Sequence, residues 1–195
     1  MQINIFLFND FETLDVFGPV EIFGKVDEFK LDYFSIKGGV IVSKQGTQII
    51  TKSHEEVNQL EENVLLIPGG FGTRSLVEDK KTIKILKSIS SKSTYTLCVC
   101  TGSALLAKTG LLDEKTATTN KKSFDWVVSQ NKKVKWQRSA RWCVDEKFYT
   151  SSGVSAGIDM SLAFVEDLYG VEKAKNIAHH IEYVWNDDKE NDKFC

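Results

Sequence analysis

The sequence predicts an α/β protein built on a mostly parallel sheet with helices on both faces. Its strand candidates at residues 3–8 and 64–67 are short apolar runs, as is typical of strands buried on both sides, and the candidate at 94–99 is rich in residues that favour β-strands. Each is followed by a segment with helical spacing, which favours strand–helix–strand units. No repeat, low-complexity tract or linker divides the chain, so we expect one domain over residues 1–195.

The N-terminal half begins with the strand at 3–8 and a helix over 14–26, which tolerates Pro19 in its first turns. The expected apolar side of this helix comprises Leu14, Phe17, Ile22 and Phe23. Glycine turns separate three further strand candidates, at 31–36, 40–43 and 48–51. After the strand at 64–67 we expect one helix over 75–89 and then the strand at 94–99.

The C-terminal half contains shorter strand candidates. They are at 116–119, 134–136, 141–144 and 148–150. Helices are predicted at 123–129, 156–169 and 171–185, the last beginning near Gly170.

Composition argues against several classes of function. With 25 Lys and Arg against 27 Asp and Glu, the net charge is -2, so we expect no nucleic-acid partner. The lysine pairs 121–122 and 132–133 are interpreted as solvated surface. No apolar run approaches the roughly 18 residues of a membrane helix, and the N-terminus lacks a signal-peptide pattern. We therefore expect a cytoplasmic protein without a membrane partner.

The cysteines are expected to be reduced thiols rather than metal ligands. The C-x-C spacing of Cys98 and Cys100 lacks the second pair and the histidines of a zinc site, so no metal is predicted. Cys98 and Cys143 lie in predicted strands, where a cysteine packs as a small hydrophobe. Cys100 instead lies where a strand turns into a helix. That geometry exposes a nucleophile and favours a thiolate at the positive end of the helix.

Two other segments are expected to meet Cys100, because ligands bind beyond the carboxyl ends of parallel strands. Gly69 and Gly70 follow the strand at 64–67, and the N–H groups of Gly70 and Thr101 could stabilise an anionic intermediate. Phe71 would form an apolar wall. Asp15 follows the first strand; it either complements the dipole of its own helix or serves as a proton donor and acceptor beside the thiol.

Glu12 and Glu21 compete with Asp15 for the acid–base role. The three histidines form no evident dyad with Cys100: His54 lies in a polar segment, and two lie together on the last helix. Chemistry would therefore depend on a cysteine–carboxylate pair.

Jointly, these features resemble the ThiJ/PfpI superfamily, which has a flavodoxin-like three-layer sandwich. The resemblance is carried by residues 14–21, 67–72, 100–103, 110–112, 117–119 and 153–159. The isocyanide hydratase branch is the most similar, since it has aspartate at the position of Asp15 and threonine after the nucleophile, as Thr101. Hydratases commonly have histidine after the Ala-Thr-Thr segment, whereas this chain has Asn120. Asparagine can form hydrogen bonds there but cannot titrate.

The resemblance implies a small-molecule enzyme that needs no cofactor and forms a homodimer. Cys100 would attack an isocyanide, Asp15 would transfer protons, and an N-substituted formamide would leave. Two alternatives remain open. One is another thiol enzyme of the superfamily, such as a glyoxalase, deglycase or amidase. The other is a non-enzymatic redox or ligand sensor that uses the same cysteine.

Overall fold

A computed structural model describes residues 1–57 and 62–195, organised around an eight-stranded sheet. Its strands are β1 (Gln2–Phe6), β2 (Lys30–Ser35), β3 (Lys37–Val42), β4 (Gln48–Ser53), β5 (Asn63–Ile67), β6 (Tyr95–Cys98), β9 (Trp142–Asp145) and β10 (Phe148–Ser151). Two further strands, β7 (Thr116–Ala117) and β8 (Lys135–Trp136), form a separate two-stranded sheet. The order is β3-β4-β2-β1-β5-β6-β10-β9, with every neighbouring pair parallel except the edge pairs β3–β4 and β9–β10. The mostly parallel sheet is thus confirmed.

The helices form two groups against this sheet. They are α1 (Thr13–Phe23), α2 (Thr73–Leu76), α3 (Lys80–Lys92), α4 (Gly102–Lys108), α5 (Phe124–Gln130), α6 (Ala156–Tyr169) and α7 (Val171–His180). Helices α1, α6 and α7 pack together, while α2, α3 and α5 pack around α4. Every residue of β1 and β5 is buried, including the polar Gln2, Asn4 and Asn63, and all their other residues are apolar, as is typical of strands covered on both faces. Within the described residues, no helix combines the length and apolarity needed to cross a membrane.

The single helix predicted over 75–89 is wrong, because the chain breaks between α2 and α3. Asp79 is the cap of α3: its carboxylate accepts hydrogen bonds from the Lys81 N–H (3.0 Å) and the Thr82 hydroxyl (2.7 Å). A side chain that satisfies the free N–H groups of a first turn favours a new helix start. The apolar spacing continues across the break, so periodicity alone did not reveal it.

The last helix also ends earlier than predicted, at His180 rather than 185. Beyond it, the Tyr183 hydroxyl donates to the buried Asp159 carboxylate (3.0 Å) and the Trp185 indole donates to the Asp159 carbonyl (3.2 Å). Asp159 also pairs with the buried Arg141 guanidinium at 2.5 Å. These tertiary hydrogen bonds draw the chain away from the helical path.

The expected apolar face of α1 is only half correct. Ile22 and Phe23 are fully buried, but Leu14 and Phe17 are 42% and 36% exposed. The lysine pair at 121–122 is also not simply solvated: Lys121 is half-buried and donates to the Thr118 hydroxyl (2.8 Å) and the Ala140 carbonyl (2.5 Å).

Candidate active site

Three neighbouring strands deliver the candidate site to one edge of the sheet. The chain leaving β1 enters α1, which carries Asp15; β5 leads to Gly69; and β6 leads to Cys100. The Gly69 N–H donates to Asp15 Oδ2 (2.9 Å), and the Gly69 carbonyl accepts from the Glu12 N–H (2.9 Å). The residues predicted from separate segments therefore lie together.

Cys100 occupies a sharp turn held by its surroundings. Its φ of 57° lies in the left-handed region, which non-glycine residues rarely adopt. The Cys100 N–H donates to the carbonyls of Ser151 (3.2 Å) and Ser152 (3.1 Å), while its own carbonyl accepts from the hydroxyls of Ser103 (3.0 Å) and Thr119 (2.9 Å). Such strain persists only where the surrounding contacts over-determine it, and it is concentrated at functional sites.

The elbow also requires a glycine at its second position. A Cβ on Gly102 would overlap the Ile67 carbonyl oxygen and lie 2.7 Å from that of Pro68. Helix α4 can therefore begin this close to the end of β5 only without a side chain at Gly102.

The Asp15 carboxyl group is fully buried against the Cys100 thiol. Burial raises the pKa of Asp15 to about 7, and the charge of Glu12 adds to this, while the Gly69 N–H and the thiol oppose it. Burial and the Asp15 charge likewise raise the pKa of the Cys100 thiol above its ordinary value, although the N–H groups of Thr101 and Val154 work against them. The expectation of a stabilised thiolate is therefore wrong, because desolvation outweighs the helix terminus.

Sulfur accordingly keeps its proton at neutral pH, while Asp15, whose pKa is about 7, is divided between its carboxylic acid and carboxylate forms. Cys100 is only 6% exposed, and a neutral thiol tolerates burial better than a thiolate. The Asp15 carboxylate beside it is then placed to accept that proton as sulfur forms a bond. The arrangement is compatible with general-base catalysis in which aspartate would take the role that histidine often has beside a cysteine.

The predicted backbone donors occupy different positions in the structure. The Thr101 N–H interacts with the Cys100 thiol, as does the N–H of Val154, which has a φ of 28°. The Gly70 N–H instead donates to the Thr101 hydroxyl (3.1 Å). Stabilisation of an anionic intermediate by the Gly70 N–H therefore stays a prediction. Val154 received no role from the sequence, although the motif at residues 153–159 contains it.

A pocket of about 300 Å³ opens above the thiol. It is lined by Glu12, Gly70, Phe71, Arg74, Cys100, Thr101, Asn120, Lys122, Ser123 and Val154. Phe71 is 69% exposed, whereas Asn120 is half-buried and its Oδ1 accepts from the Ser123 N–H (3.0 Å). Sequence reasoning missed Arg74, Lys122 and Ser123, which are brought to the pocket by α2 and by the short helix Lys121–Ser123.

The three carboxylates considered for the acid–base role differ in their distance from the thiol and in their partners. Glu21 is exposed and pairs with Lys25 (3.2 Å), while Glu12 lines the pocket and its Oε1 accepts from Gln45 Nε2 (2.6 Å). Of the three, Asp15 is the carboxylate that interacts with the thiol. Across residues 1–57 and 62–195, no cluster of three or more His, Cys, Asp or Glu side chains is arranged to hold a metal ion.

Gly69→Ala is expected to disable the site without unfolding the sheet. Its Cβ would lie 2.6 Å from the Thr101 nitrogen and 2.8 Å from Asp15 Oδ2, so the aspartate and the elbow would have to separate. We expect the alkylation rate of Cys100 to change at least tenfold. We also expect the free energy of unfolding to fall by roughly 1–3 kcal/mol. Denaturant titration and peptide mass spectrometry measure both. Gly24→Ala, at a φ of -66° on the end of α1, is the control; equal effects would contradict the prediction.

The chain is similar to proteins of known family along most of its length. The family model described as DJ-1/PfpI family matches residues 1–167. The chain belongs to the DJ-1/PfpI family. An isonitrile hydratase of Pseudomonas putida is 30% identical over 184 residues, covering 94% of this chain and 78% of that protein. A deglycase of Pyrococcus abyssi is 27% identical over 120 residues, which are 61% of this chain and 72% of that protein.

The solved structures agree with this membership. A ThiJ/PfpI family protein from Pseudomonas syringae superposes with a TM-score of 0.85 at 26% identity, covering 93% of this chain and 74% of that one. The flavodoxin-like α/β fold expected for a DJ-1/PfpI protein is thereby confirmed. Family members include both a hydratase and a deglycase, so membership supports small-molecule chemistry and leaves the reaction to the residues of this site.

Proposed function

We propose that this DJ-1/PfpI protein is an isocyanide hydratase that converts an isocyanide and water into an N-substituted formamide. The observation that carries the proposal is the buried Cys100–Asp15 pair at the end of a small pocket. Hydration needs one soft nucleophile and one group that carries protons in both directions, and this pair supplies them. Similarity to the Pseudomonas isonitrile hydratase supports the same reaction.

The reaction begins with the neutral thiol. As Cys100 Sγ bonds to the terminal isocyanide carbon, the Asp15 carboxylate takes the thiol proton and delivers it to that carbon, giving a thioimidate, R–N=CH–S–Cys. Asp15 then accepts a proton from a water that adds to the same carbon, and passes it to the nitrogen. Cleavage of the C–S bond releases R–NH–CHO and returns the remaining hydroxyl proton to sulfur through Asp15. Atoms balance without any cofactor.

Backbone N–H donors near the thiol could stabilise the charges that develop in the second half of this reaction. Negative charge develops on oxygen and sulfur as the tetrahedral adduct collapses. The N–H groups of Thr101 and Val154 already point at sulfur and can stabilise it as a leaving group. Gly70 can join them if the Thr101 hydroxyl releases its N–H.

A second candidate function is a thiol enzyme acting on reactive carbonyls. Similarity to the deglycase of Pyrococcus abyssi favours it, and the same nucleophile and carboxylate could serve it. Parallel assays with an aryl isocyanide and with methylglyoxal, followed by formamide and lactate detection, separate the two; an amide panel covers amidase activity. Formamide production dependent on Cys100 supports the hydratase, and lactate alone would contradict it.

The sensor alternative is disfavoured by the state of Cys100. Oxidation to sulfenic and sulfinic acid proceeds through an accessible thiolate. Here the thiol is 6% exposed and its pKa is raised by burial.

We also propose a cytoplasmic location. The four cysteines are unpaired, which is consistent with a reducing compartment.

We further propose that the protein works as a homodimer through α1. The exposed Leu14 and Phe17 flank a groove of about 440 Å³ that also includes Ile158 and Ile181. Leu14 and Phe17 lie on α1, the helix that carries Asp15, while Ile158 lies on α6 and Ile181 follows α7. Together these side chains form an apolar surface suited to a second copy.

Phe17→Glu is therefore expected to produce a monomer. A charge at the centre of an apolar interface would lose its water without gaining a partner, which costs several kcal/mol. Light scattering coupled to gel filtration measures the mass. Val144→Glu, on the far edge strand β9, is the matched control and should leave the dimer intact. A Phe17→Glu protein of unchanged mass would overturn this interface.

A further inference from the structure

Arg74 is a fixed cation in the wall of the pocket that contains Cys100. Its guanidinium carbon lies 3.4 Å from the centre of the Trp126 ring, and Nη2 donates to the Ser123 hydroxyl at 3.0 Å. Stacking and a hydrogen bond together restrain a side chain that would otherwise be mobile. Burial lowers the pKa of Arg74 and the ionised form of Cys100 opposes this shift, so the two groups lie within electrostatic range.

Within residues 1–57 and 62–195, the charge of Arg74 has no acidic partner. Arg138 pairs with Asp125 and Arg141 with Asp159, whereas no Asp or Glu of the described ranges lies within 4.0 Å of the Arg74 guanidinium. These are the chain's three arginines. A half-buried guanidinium stacked on one face keeps N–H donors at its edge, and those donors are satisfied by water or by a ligand.

Neighbouring residues strengthen this arrangement. Lys122 brings a second positive charge to the same pocket. Glu12 opposes them as the acidic residue of this lining, with one carboxylate oxygen engaged by Gln45, but the two cations leave the lining with a net positive charge. Asn120 Oδ1 caps the short helix Lys121–Ser123 by accepting from the Ser123 N–H, which holds the Ser123 hydroxyl where Arg74 reaches it. The asparagine in place of the common histidine thus supports the position of the arginine.

We infer that Arg74 forms an anion-binding subsite, assisted by Ser123 and Lys122, that selects substrates bearing a carboxylate. The planar fork of a guanidinium matches a carboxylate through two parallel hydrogen bonds. The ligand would place its reactive carbon at Cys100 and its carboxylate at Arg74, across a pocket of about 300 Å³. The inference names the substrate class of the proposed hydratase, and so rests on that function, but the anion preference can be measured without turnover.

The first test compares two alkylating reagents that differ only in charge. Iodoacetate is anionic and iodoacetamide is neutral, and the exposed Cys195 is an internal reference in each sample. The ratio of iodoacetate to iodoacetamide rate constants at Cys100, read by peptide mass spectrometry, should exceed that at Cys195 about tenfold. Arg74→Gln should abolish the excess and Arg74→Lys should retain part of it. Because a ratio is compared, a general change in Cys100 reactivity cancels.

The control is Arg138→Gln, which removes an exposed arginine that stacks on Phe124 outside the pocket lining. It should leave the ratio at wild-type value. An unchanged ratio in Arg74→Gln, in protein whose thermal unfolding matches wild type, would overturn the subsite. If Arg74→Gln fails to fold, Lys122→Gln and Ser123→Ala report on the same subsite, and an unchanged ratio in both overturns it.

The second test uses 4-isocyanobenzoate and 4-isocyanobenzamide, which have matched shapes. A higher kcat/KM for the carboxylate, lost in Arg74→Gln, supports the subsite and the hydratase together. Turnover without any carboxylate preference overturns the subsite and leaves the hydratase intact. No turnover of either compound, with an Arg74-dependent alkylation ratio, contradicts the hydratase and supports the subsite.

Discussion

Cys100→Ala is expected to eliminate isocyanide hydration, lowering kcat/KM by at least about 10³-fold. No other thiol can substitute: Cys98 is fully buried within β6, Cys143 is buried in β9, and Cys195 lies outside the pocket. The variant should fold, since its backbone contacts at the elbow do not use sulfur. Formamide production followed by chromatography measures the loss.

Cys98→Ala is the matched control, two residues earlier at the end of β6. It should keep wild-type turnover and lose stability of about 1 kcal/mol, because removing a buried sulfur leaves a small cavity. A Cys100→Ala protein that still hydrates isocyanides, or a Cys98→Ala protein that does not, would remove the basis for assigning the nucleophile.

Asp15→Asn is expected to lower kcat/KM by about 10²–10⁴-fold, because an amide can accept the Gly69 hydrogen bond but cannot carry a proton. In the wild type, kcat/KM should rise with pH as Asp15 loses its proton, with a midpoint near its pKa of about 7 and a slope of one. Below that pH both groups are protonated and no base is present. The residual activity of Asp15→Asn should lack this step, and a wild-type profile flat from pH 5 to 9 would contradict the assignment.

Asp15→Asn should lower activity but raise the stability of the fold above neutral pH. The pKa of Asp15 is higher in the folded protein, about 7, than its ordinary value of 3.8, so the folded state binds the proton more tightly. The stability from this group is full below pH 3.8 and is lost as pH rises through 7. Asp15→Asn should therefore exceed wild type by roughly 2–4 kcal/mol at pH 8 and match it near pH 3.8 in urea titrations. A less stable variant at pH 8 would contradict the buried charge.

Much of the fold could be predicted because the strands are buried on both faces. The segments that form β1 and β5, in which every residue is buried, are rich in Ile, Leu, Val and Phe, and this short apolar pattern is typical of a strand covered on both faces. The break before α3 depends on one capping side chain, Asp79, within an uninterrupted apolar pattern. The exposure of Leu14 and Phe17 could not be predicted either, because helical periodicity cannot distinguish an apolar face that packs in the core from one that is exposed.

The positions of the candidate site residues could be predicted, but their protonation could not. Cys100 is marked by the local change from strand to helix, and Asp15 by its place after the first strand. The raised pKa of each reflects the burial produced by several packed strands and helices together, which no local pattern reports. Arg74 was missed because its role depends on Trp126 and Ser123, about fifty residues later in the chain.

The most direct test of the central claim is the mass of Cys100 during turnover. Enzyme mixed with excess isocyanide and quenched in acid within the first turnover should contain a thioimidate on Cys100, heavier by the mass of one isocyanide. Fragmentation of the tryptic peptide spanning residues 93–108 distinguishes Cys100 from Cys98. The adduct should appear and decay at rates consistent with kcat. Formamide production at full rate with Cys100 unmodified throughout, or with the adduct on another residue, would contradict nucleophilic catalysis by Cys100.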